Sequence, residues 1–328
     1  MRHIATRATL AFLTLISVSL QASAQSAAVQ SFPSRPIHWI VPFPPGGGAD
    51  FTARTLAQKI SENIGKPVLV ENRAGAGGNI GTEVVARAAP DGYTLLQTTN
   101  GHTIQPHLQK LTWDPVKDFA PVSVFATFPL LIAAHPSVPA ATLRELIAYA
   151  KANPGKLSYG SSGTGGPLHM GAEIFKRAAG IDILHVPYKG NAPMTTAVIA
   201  GEVSLVFDSM TGPLPQVRAG RLKALGITSS KRIAVLPEVP TATESGVPVV
   251  YEAWNGILVP AATPPEIVAR LNREIVRAVA TKDVSEKLAS RGYEPVTNTP
   301  AEFAALIASD LERFGKTIRE VGIRAEGQ

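Results

Sequence analysis

The sequence predicts an α/β fold, in which helices pack on the faces of sheets. Short apolar runs alternate along the chain with longer segments whose apolar residues recur every three or four positions, the patterns of strands and amphipathic helices. An apolar content of 45% supports a buried core and excludes a disordered chain. The 28 glycines and 27 prolines are expected mostly at turns, because helix and strand interiors tolerate both poorly.

The chain begins with the features of a secretory signal peptide. Arg2 and Arg7 form a positively charged start, residues 8–20 are an apolar run of 13 residues, and Ala22-Ser23-Ala24 matches a cleavage site. The apolar run is shorter than the roughly 20 residues that span a bilayer. We therefore expect residues 1–24 to be a signal peptide and the mature protein to be soluble in the periplasm.

A second uncharged run, residues 119–143, contains four prolines, which do not fit an uninterrupted membrane-spanning helix. A buried strand is the better interpretation. No flexible linker divides the chain. Two apolar segments, residues 122–134 and 251–260, are the candidates for connections between two lobes, and such connections would make the first lobe discontinuous.

The first strand is predicted at residues 37–43, followed by a helix from about Ala49. The apolar residues of this helix recur at intervals of four: Leu56, Ile60 and Ile64. Gly65, with a proline two residues later, is the pattern of a helix end. Two more strands are predicted at residues 68–70 and 93–99.

Three later helices are expected to begin with a capping box, Thr-x-x-Glu, in which each side chain accepts a hydrogen bond from the other residue's backbone N–H. The pattern starts at Thr142, Thr263 and Thr299, and proline follows the last two threonines, which suits the first helical position. Apolar stripes that predict core packing follow: Ile267, Leu271, Ile275 and Val279, then Phe303, Ile307, Leu311, Phe314 and Ile318.

The composition excludes several kinds of site. The chain has no cysteine, so disulfides, cysteine zinc sites and thiol nucleophiles are absent. The formal net charge of +6 is scattered along the chain, whereas nucleic-acid-binding proteins usually cluster their basic residues. No two histidines have the i, i+4 spacing of a helical metal site. We therefore expect no metal, no cofactor and no nucleic-acid partner.

Two motifs are approached but not completed. Residues 160–164 (GSSGT) lack the final glycine of the nucleophile elbow G-x-S-x-G. Residues 75–80 begin like the dinucleotide motif G-x-G-x-x-G but end in isoleucine. A secreted hydrolase that uses Ser161 or Ser162 with the nearby His169 remains an alternative hypothesis.

Three glycine-rich loops precede predicted helices, at residues 44–48, 75–78 and 160–166. The free N–H groups of a first helical turn and the helix dipole attract a carboxylate or phosphate without any basic side chain. A single loop of this kind is commonly only a tight turn, but three in one chain favour anion binding. Hydroxyl groups in the third loop can cap the helix or bind a ligand.

These loops belong to an ordered series of motifs that extends over nearly all of residues 32–328. The main stretches are VPFPPGGGAD (41–50), VENRAGAGGNIGTEVVARAAPDGYTLL (70–96), DPVKDFAPVS (114–123), YGSSGTGGPLHMGAEIF (159–175), HVPYKG (185–190), AGEVSLVFD (200–208), LPEVPTATESGVP (236–248) and GYEPVTNTPAEF (292–303). In this order they resemble the tripartite tricarboxylate transporter receptors, also called the Bug family of periplasmic solute-binding proteins.

The resemblance implies a two-lobed Venus-flytrap fold of the periplasmic-binding-protein type (type II-like), with the ligand in the cleft. Domain I would comprise residues 25–127 and 253–328, and domain II residues 128–252. The resemblance also implies a monomer without enzyme activity that delivers a small organic acid to membrane permease subunits. A di- or tricarboxylate, an acidic amino acid and an aromatic acid are all compatible. A ligand sensor with a signalling partner is an alternative role for the same cleft.

The resemblance also assigns the cleft residues. The first two glycine-rich loops would hold one ligand carboxylate, and Phe43 would contact the ligand body. The third glycine-rich loop and Asp208 would face the variable end of the ligand, and His169 follows that loop. The expected ligand-binding residues are Phe43, Gly46, Gly47, Gly48, Gly75, Ala76, Gly77, Gly78, Thr98, Thr99, Asn100, Ser161, Ser162, Thr164, Gly165, His169 and Asp208.

Two positions leave the identity of the ligand open. Many relatives have serine where this chain has Gly166, so no particular ligand is carried over from the resemblance. Asp208 has two interpretations. It is either a structural residue at a strand end or, if it lines the cleft ionised, a group that repels a second carboxylate and favours an amine or hydroxyl donor.

Overall fold

The computed structural model describes residues 31–323, so the predicted signal peptide, residues 1–24, lies outside the described residues. The strands are β1 (Ile37–Val41), β2 (Val68–Asn72), β3 (Thr94–Thr99), β4 (Phe119–Pro129), β5 (Leu131–Ala134), β6 (Ser158–Ser161), β7 (Leu184–Pro187), β8 (Leu205–Asp208), β9 (Lys223–Ile227), β10 (Glu252–Pro260) and β11 (Glu294–Pro295). The helices are α1 (Gly48–Ile64), α2 (Asn79–Ala86), α3 (Gly101–Ile104), α4 (Leu143–Ala152), α5 (Pro167–Ala179), α6 (Asn191–Ala200), α7 (Pro213–Arg218), α8 (Pro265–Val279), α9 (Lys282–Ala289) and α10 (Pro300–Val321). None of these helices is long and apolar enough to cross a membrane.

The strands form two sheets, each with parallel and antiparallel pairs. The first sheet has the order β11-β4-β10-β3-β1-β2, and the second has the order β7-β6-β8-β5-β9. β1 is parallel to β2 and β3, and β6 is parallel to β7 and β8. A helix follows β1, β2, β6 and β7 in each case, so helix N-termini lie beside the carboxyl ends of parallel strands, where ligands of α/β proteins commonly bind. The predicted α/β fold is confirmed.

The chain passes between the two sheets twice, and the two connections are side by side. β4 of the first sheet leads through Leu130 into β5 of the second, and Tyr251 leads back into β10. Thr228, which follows β9, joins them: its hydroxyl accepts from the Leu130 N–H at 2.8 Å and donates to the Tyr251 carbonyl. We call each sheet with its helices a lobe. The two predicted connecting segments coincide with these passages, while the domain boundaries at 127/128 and 252/253 stay a prediction.

The apolar stripes predicted from the sequence face the core. All four stripe residues of α8 are buried, and so are the stripe residues of α10 apart from Leu311, which is partly buried. In the first lobe Trp39 is fully buried and meets Phe125 edge to face. Gly65 ends α1 in the left-handed conformation, φ 65°, as the sequence pattern predicts.

Two of the three predicted capping residues cap a helix. Thr299 forms a complete capping box with Glu302, and the Thr142 side chain accepts from the N–H of Glu145. The prediction at Thr263 is wrong, because α8 begins at Pro265 with Pro264 as its N-cap, and the Thr263 hydroxyl donates to the carbonyl of Pro260. The reason is steric: Pro264 itself precedes Pro265, and a residue that precedes proline is disfavoured in the helical conformation, so the helix begins one residue later.

Candidate functional site

A cleft lies between the two lobes, with an empty volume of about 460 Å³ that includes space open to solvent. The first lobe lines it with Phe43, Gly47, Gly48, Ala49, Thr99, Phe128, Asn255 and Tyr293. The second lobe lines it with Ser162, Pro167, Leu168, Asn191, Asp208 and Ser209. Among these described lining residues there is no lysine, arginine or histidine, so any positive potential has to come from backbone groups.

Three helix N-termini converge on the cavity. α1, α5 and α6 begin at Gly48, Pro167 and Asn191, which all line it. The N-cap residue of each helix is a glycine, and none of the three helices has a side-chain cap. First-turn N–H groups that lack a capping side chain, together with the helix dipoles, favour an anion in the space between them.

Asp50 holds the loop that leads into α1. Its carboxylate accepts hydrogen bonds from the Gly46 N–H, from Asn72 Nδ2 and from Arg54 Nε, each at 3.0 Å. Burial opposes ionisation of this group, but these hydrogen bonds outweigh burial and lower the pKa of Asp50. Asp50 therefore fixes the conformation of this loop. The Gly46 N–H, which belongs to a residue expected to bind the ligand, donates to Asp50 instead.

Gly48 lies in a crowded contact between one first-lobe side chain and one second-lobe side chain. A Cβ atom at this position would lie 2.0 Å from Tyr293 Oη and 3.0 Å from Ser209 Oγ. Tyr293 comes from the first lobe, near β11, and its hydroxyl lies 3.2 Å from the hydroxyl of Thr211 in the second lobe. The close contact therefore requires glycine at position 48, and it brings groups of both lobes together at the start of α1.

A chain of buried hydrogen bonds orients Asn255 at the base of the cavity. The Trp39 indole N–H, which can only donate, bonds to Gln97 Oε1 at 3.2 Å. Gln97 therefore presents Nε2 to Asn255 Oδ1 at 3.3 Å, and the same nitrogen donates to the Ala49 carbonyl and the Thr52 hydroxyl. Asn255 is left with Nδ2 free, and this buried donor has no partner among the described residues.

The second-lobe wall contains one ionisable carboxyl group, that of Asp208 at the end of β8. Its side chain is fully buried, and Oδ1 accepts from Asn191 Nδ2 at 2.7 Å. Oδ2 has no hydrogen-bond partner among the described residues. Burial raises the pKa of Asp208 to about 7, although hydrogen bonds from Ser209 and Asn191 act in the opposite direction.

The third glycine-rich loop is braced by two histidines behind the cavity. Ser161 Oγ lies 2.7 Å from His185 Nε2 and donates to the Gly163 carbonyl. The His169 ring stacks on that of His185 with centroids 4.0 Å apart, and its Nδ1 accepts from the Gly165 N–H at 3.1 Å. Burial lowers the pKa of His169 to about 3, so this ring stays neutral and serves as an acceptor that holds the loop.

The second glycine-rich loop faces the third across Gln105. A Cβ atom on Gly77 or Gly165 would lie 2.7 or 2.9 Å from Gln105 Nε2, which donates to the Thr164 carbonyl at 3.1 Å. Among the described residues, Ala76 is the one non-glycine residue with a left-handed backbone, φ 49°. This loop stands at the rim beside Phe43 rather than in the cavity wall.

The sequence-based site residues divide into two groups. Those in the cavity wall are Phe43, Gly47, Gly48, Thr99, Ser162 and Asp208. Those that are not among the lining residues are Gly46, Gly75, Ala76, Gly77, Gly78, Thr98, Asn100, Ser161, Thr164, Gly165 and His169. Asn100, for example, is fully buried and bonds to Asp310 and to the Trp254 N–H. Whether any of these residues binds a ligand stays a prediction.

Sequence reasoning missed much of the wall: Ala49, Phe128, Pro167, Leu168, Asn191, Ser209, Asn255 and Tyr293. Two of these carried a usable signal. Asn255 is an isolated amide within the apolar part of its strand, and Asn191 follows a glycine at a strand-to-helix junction. Tyr293 carried none, because its neighbours in space come from a distant part of the chain.

The chain is similar in sequence to proteins of a known family. Residues 52–323 match the model of the "Tripartite tricarboxylate transporter family receptor". The chain belongs to this family. It is 37% identical over 313 residues to the protein BugT of Bordetella pertussis, an alignment that covers 94% of this chain and 96% of BugT.

Solved structures agree with the family assignment. A protein of R. palustris determined with adipate is 34% identical with a TM-score of 0.86, covering 90% of this chain and 99% of that chain. MatC of Rhodopseudomonas palustris with bound malate is 33% identical with a TM-score of 0.82, covering 88% of this chain and 100% of that chain. Members of this family are solute-binding receptors and not enzymes. The hydrolase hypothesis is therefore wrong, and Ser161 bonds to His185, not to His169.

Proposed function

We propose that this chain is a periplasmic receptor that captures a small organic carboxylate between its two lobes and passes it to a membrane permease. The observation that carries the proposal is the convergence of three helix N-termini without side-chain caps on one cavity that lacks basic side chains. Such a site attracts an anion through backbone N–H groups alone. The adipate and malate found with two related structures are of the same ligand class.

The carboxylate is expected at the first-lobe wall. The first turn of α1 supplies backbone N–H groups there, and Asn255 Nδ2 adds a side-chain donor. Hydrogen bonds between such donors and an ionised carboxylate are stronger than those between neutral groups. Phe43 and Phe128 supply apolar surface for the carbon skeleton.

Binding is expected to hold the lobes together. In this structure the lobes already touch around the cavity. A Cβ on Gly47 would lie 3.1 Å from Asn191 Oδ1, and one on Gly190 would lie 2.9 Å from Pro44 Cγ. The two adjacent strand connections at Leu130 and Tyr251 are the natural hinge. A ligand that contacts both walls stabilises the closed arrangement over an open one.

The direct test is calorimetric titration of protein that has been unfolded, dialysed and refolded to remove any bound ligand. The titrants are mono-, di- and tricarboxylates, amino acids and aromatic acids, with uncharged sugars as negative controls. Mass spectrometry of small molecules released from the protein before unfolding indicates which acids to include. We expect saturable binding of at least one carboxylate and none of the sugars, and absence of binding by every acid contradicts the proposal.

A matched pair of variants tests the placement of the carboxylate. Asn255→Asp replaces the free donor by an acceptor and adds a negative charge at the base of the cavity, so carboxylate affinity should fall at least about tenfold. Gln58→Glu adds the same charge at an exposed position of α1 and should leave affinity unchanged. Equal affinities for the wild-type protein and Asn255→Asp would contradict this placement.

The partner is tested separately. The ligand-loaded protein, immobilised by a C-terminal tag, is used to capture detergent-solubilised membrane proteins, and the ligand-free protein serves as the control. Enrichment of a permease by the loaded form supports delivery to a transporter. Enrichment of a signalling protein alone would favour a sensor instead.

A further inference from the structure

A buried hydrogen bond joins the two lobes away from the cavity wall. Gln105 lies in the short turn that follows α3 in the first lobe, and its Nε2 donates to the carbonyl oxygen of Thr164 in the second lobe at 3.1 Å. Gln105 is 3% exposed, and neither residue is among those that line the cavity. This bond therefore connects the lobes without the participation of a ligand.

The first lobe fixes the direction of the Gln105 amide. Gln109, four residues further along the chain, donates from its Nε2 to Gln105 Oε1, so the oxygen of the amide is occupied and the nitrogen is left for the second lobe. The Thr164 carbonyl can only accept, so the reverse orientation would place two acceptors against each other. Gln105 therefore presents a donor to the second lobe in an orientation that its own lobe sets.

Glycines of both lobes make room for this amide. A Cβ atom on Gly77 of the first lobe would lie 2.7 Å from Gln105 Nε2, and one on Gly165 of the second lobe would lie 2.9 Å from the same atom. A Cβ on Gly165 would also lie 2.6 Å from Leu108 Cδ1. Both glycines have positive φ, 66° and 75°, which disfavours any other residue there. The contact is therefore close on both sides of the amide.

The acceptor belongs to a loop that also supplies the cavity wall. Thr164 lies between Ser162 and Pro167, which both line the cavity. Within its own lobe this loop is held by the bond from the Gly165 N–H to His169 Nδ1 at 3.1 Å. Neighbouring backbone groups of the loop are thus bonded to opposite lobes, so separation of the lobes would break the interlobe bond and leave the loop held by its own lobe.

We propose that Gln105, oriented by Gln109, is a latch that stabilises the closed arrangement of the lobes in the absence of ligand. The latch sets the fraction of ligand-free protein that is closed. A binding-competent state that is only partly populated lowers the apparent affinity in proportion to its population, so the latch also sets the apparent affinity for every ligand. This second effect rests on the proposed function, whereas the first does not.

The test measures closure by a cross-link at a different interlobe contact. The chain has no cysteine, so an introduced pair gives an unambiguous signal. A Cβ atom on Gly47 would lie 3.7 Å from Asn191 Cβ, near the mean of about 3.8 Å in disulfides. The Gly47→Cys/Asn191→Cys protein is stripped of ligand and oxidised at pH 8, and the rate of disulfide formation is followed by mass spectrometry of the remaining thiols. This rate rises with the closed fraction.

Gln105→Glu is then added to the cross-linking pair. The variant keeps the size of the side chain and the acceptor for Gln109, but it replaces the donor by a carboxylate oxygen that meets the Thr164 carbonyl. The rate should fall about tenfold, as expected when a buried donor is replaced by a second acceptor. Gln58→Glu, which adds the same charge at an exposed position of α1, should leave the rate unchanged.

Calorimetry of the protein without the cross-linking pair gives the second readout. The mono-, di- and tricarboxylates that bind the wild-type protein should bind Gln105→Glu more weakly by the same factor as the cross-linking rate falls. A residue that only shapes its loop would weaken binding without slowing the cross-link in ligand-free protein. An unchanged cross-linking rate in Gln105→Glu therefore overturns the latch, whatever happens to affinity.

The outcomes separate the latch from the proposed function. If the rate falls in Gln105→Glu but no acid binds the wild-type protein, the latch stands and the carboxylate receptor fails. If acids bind and the rate does not fall, the receptor stands and the latch fails. Should Gln105→Glu not fold, Gln105→Met removes the donor without adding a charge, with an expected fall in rate of about threefold; an unchanged rate would likewise overturn the inference.

Discussion

The two walls of the cavity are built from different chemistry. The first-lobe wall presents the start of α1 and the free amide of Asn255, all neutral donors. The second-lobe wall also contains helix starts, but it adds the buried carboxyl group of Asp208. The first wall therefore offers neutral donors, whereas the second adds a group that can carry a negative charge.

The difference also concerns how each wall is held. Asn255 is oriented through Gln97 by a tryptophan that can only donate, so its polarity is set by the fold. Asp208 is held on one side by Asn191, and its charge can change because burial raises its pKa to about 7. The polarity of the first wall is thus set by the fold, whereas the charge of the second wall can change with pH.

The largest effect is expected where the two walls meet. Gly48→Ala places a Cβ 2.0 Å from Tyr293 Oη in the same lobe and 3.0 Å from Ser209 Oγ in the second lobe. Tyr293 then has to move and loses its contact with Thr211 across the cleft, so ligand affinity should fall about 100-fold. Titration calorimetry measures the loss. Gly47→Ala, whose Cβ would be 3.1 Å from Asn191 Oδ1, should have a smaller effect.

A rescue variant separates this contact from a general defect. Tyr293→Phe removes the hydroxyl, and Cζ of residue 293 lies 3.4 Å from the added Cβ, an ordinary contact. The double variant Gly48→Ala/Tyr293→Phe should recover about tenfold of the lost affinity in a double-mutant cycle. If the losses of affinity in the two single variants simply add in the double variant, the contact between residues 48 and 293 does not cause the loss.

The titration of Asp208 should make the second wall sensitive to pH. With its pKa raised from 3.8 to about 7, the folded protein binds a proton that the unfolded chain has lost between these values. Stability therefore falls as pH rises, by about 1.4 kcal/mol per unit, or about 2–3 kcal/mol from pH 5 to 7.

Urea unfolding of ligand-free protein at pH 5, 6 and 7 measures this dependence. Other groups also titrate over this range, so the informative quantity is the difference between the wild-type protein and Asp208→Asn. The variant should lack the fall in the free energy of unfolding that Asp208 causes. Parallel curves for the two proteins would contradict a buried titrating carboxyl group at this position.

Carboxylate binding at the first-lobe wall should weaken when the hydrogen-bond chain that orients Asn255 is broken. Gln97→Leu leaves the Trp39 N–H and Asn255 Oδ1 without their partner, at a cost of about 1–2 kcal/mol in the free energy of unfolding. Carboxylate affinity should fall about threefold to tenfold, because Asn255 is then free to turn. Chemical unfolding and calorimetry on the same samples measure both, and loss of stability with unchanged affinity would remove Asn255 from the site.

The smallest effect is expected away from both walls. Thr299→Ala removes the capping box of α10 and should cost about 1 kcal/mol of stability. Ligand affinity should not change, since Thr299 does not line the cavity. Thermal unfolding of the ligand-free protein measures the stability, and a calorimetric titration measures the affinity. Altered affinity would show that α10 influences closure.

Local chemistry made much of the fold predictable. The α/β pattern, the end of α1 at Gly65 and the capping box at Thr299 each depend on residues close in sequence, so periodicity and steric preference suffice. The error at Thr263 had a local cause as well, because consecutive prolines delay the helix by one residue. The ordered motifs located the glycine-rich loops, and three of their residues, Gly47, Gly48 and Ser162, line the cavity.

The sequence by itself determined the element types, the family and the presence of helix starts suited to an anion. Only the tertiary structure decided which of these starts meet, that Tyr293 reaches Gly48, and that Asn255 and Asp208 keep unpartnered atoms at one cavity. The physical reason is distance along the chain. These contacts join residues that lie tens to hundreds of positions apart, and their polarity depends on hydrogen bonds that exist only once both lobes are folded.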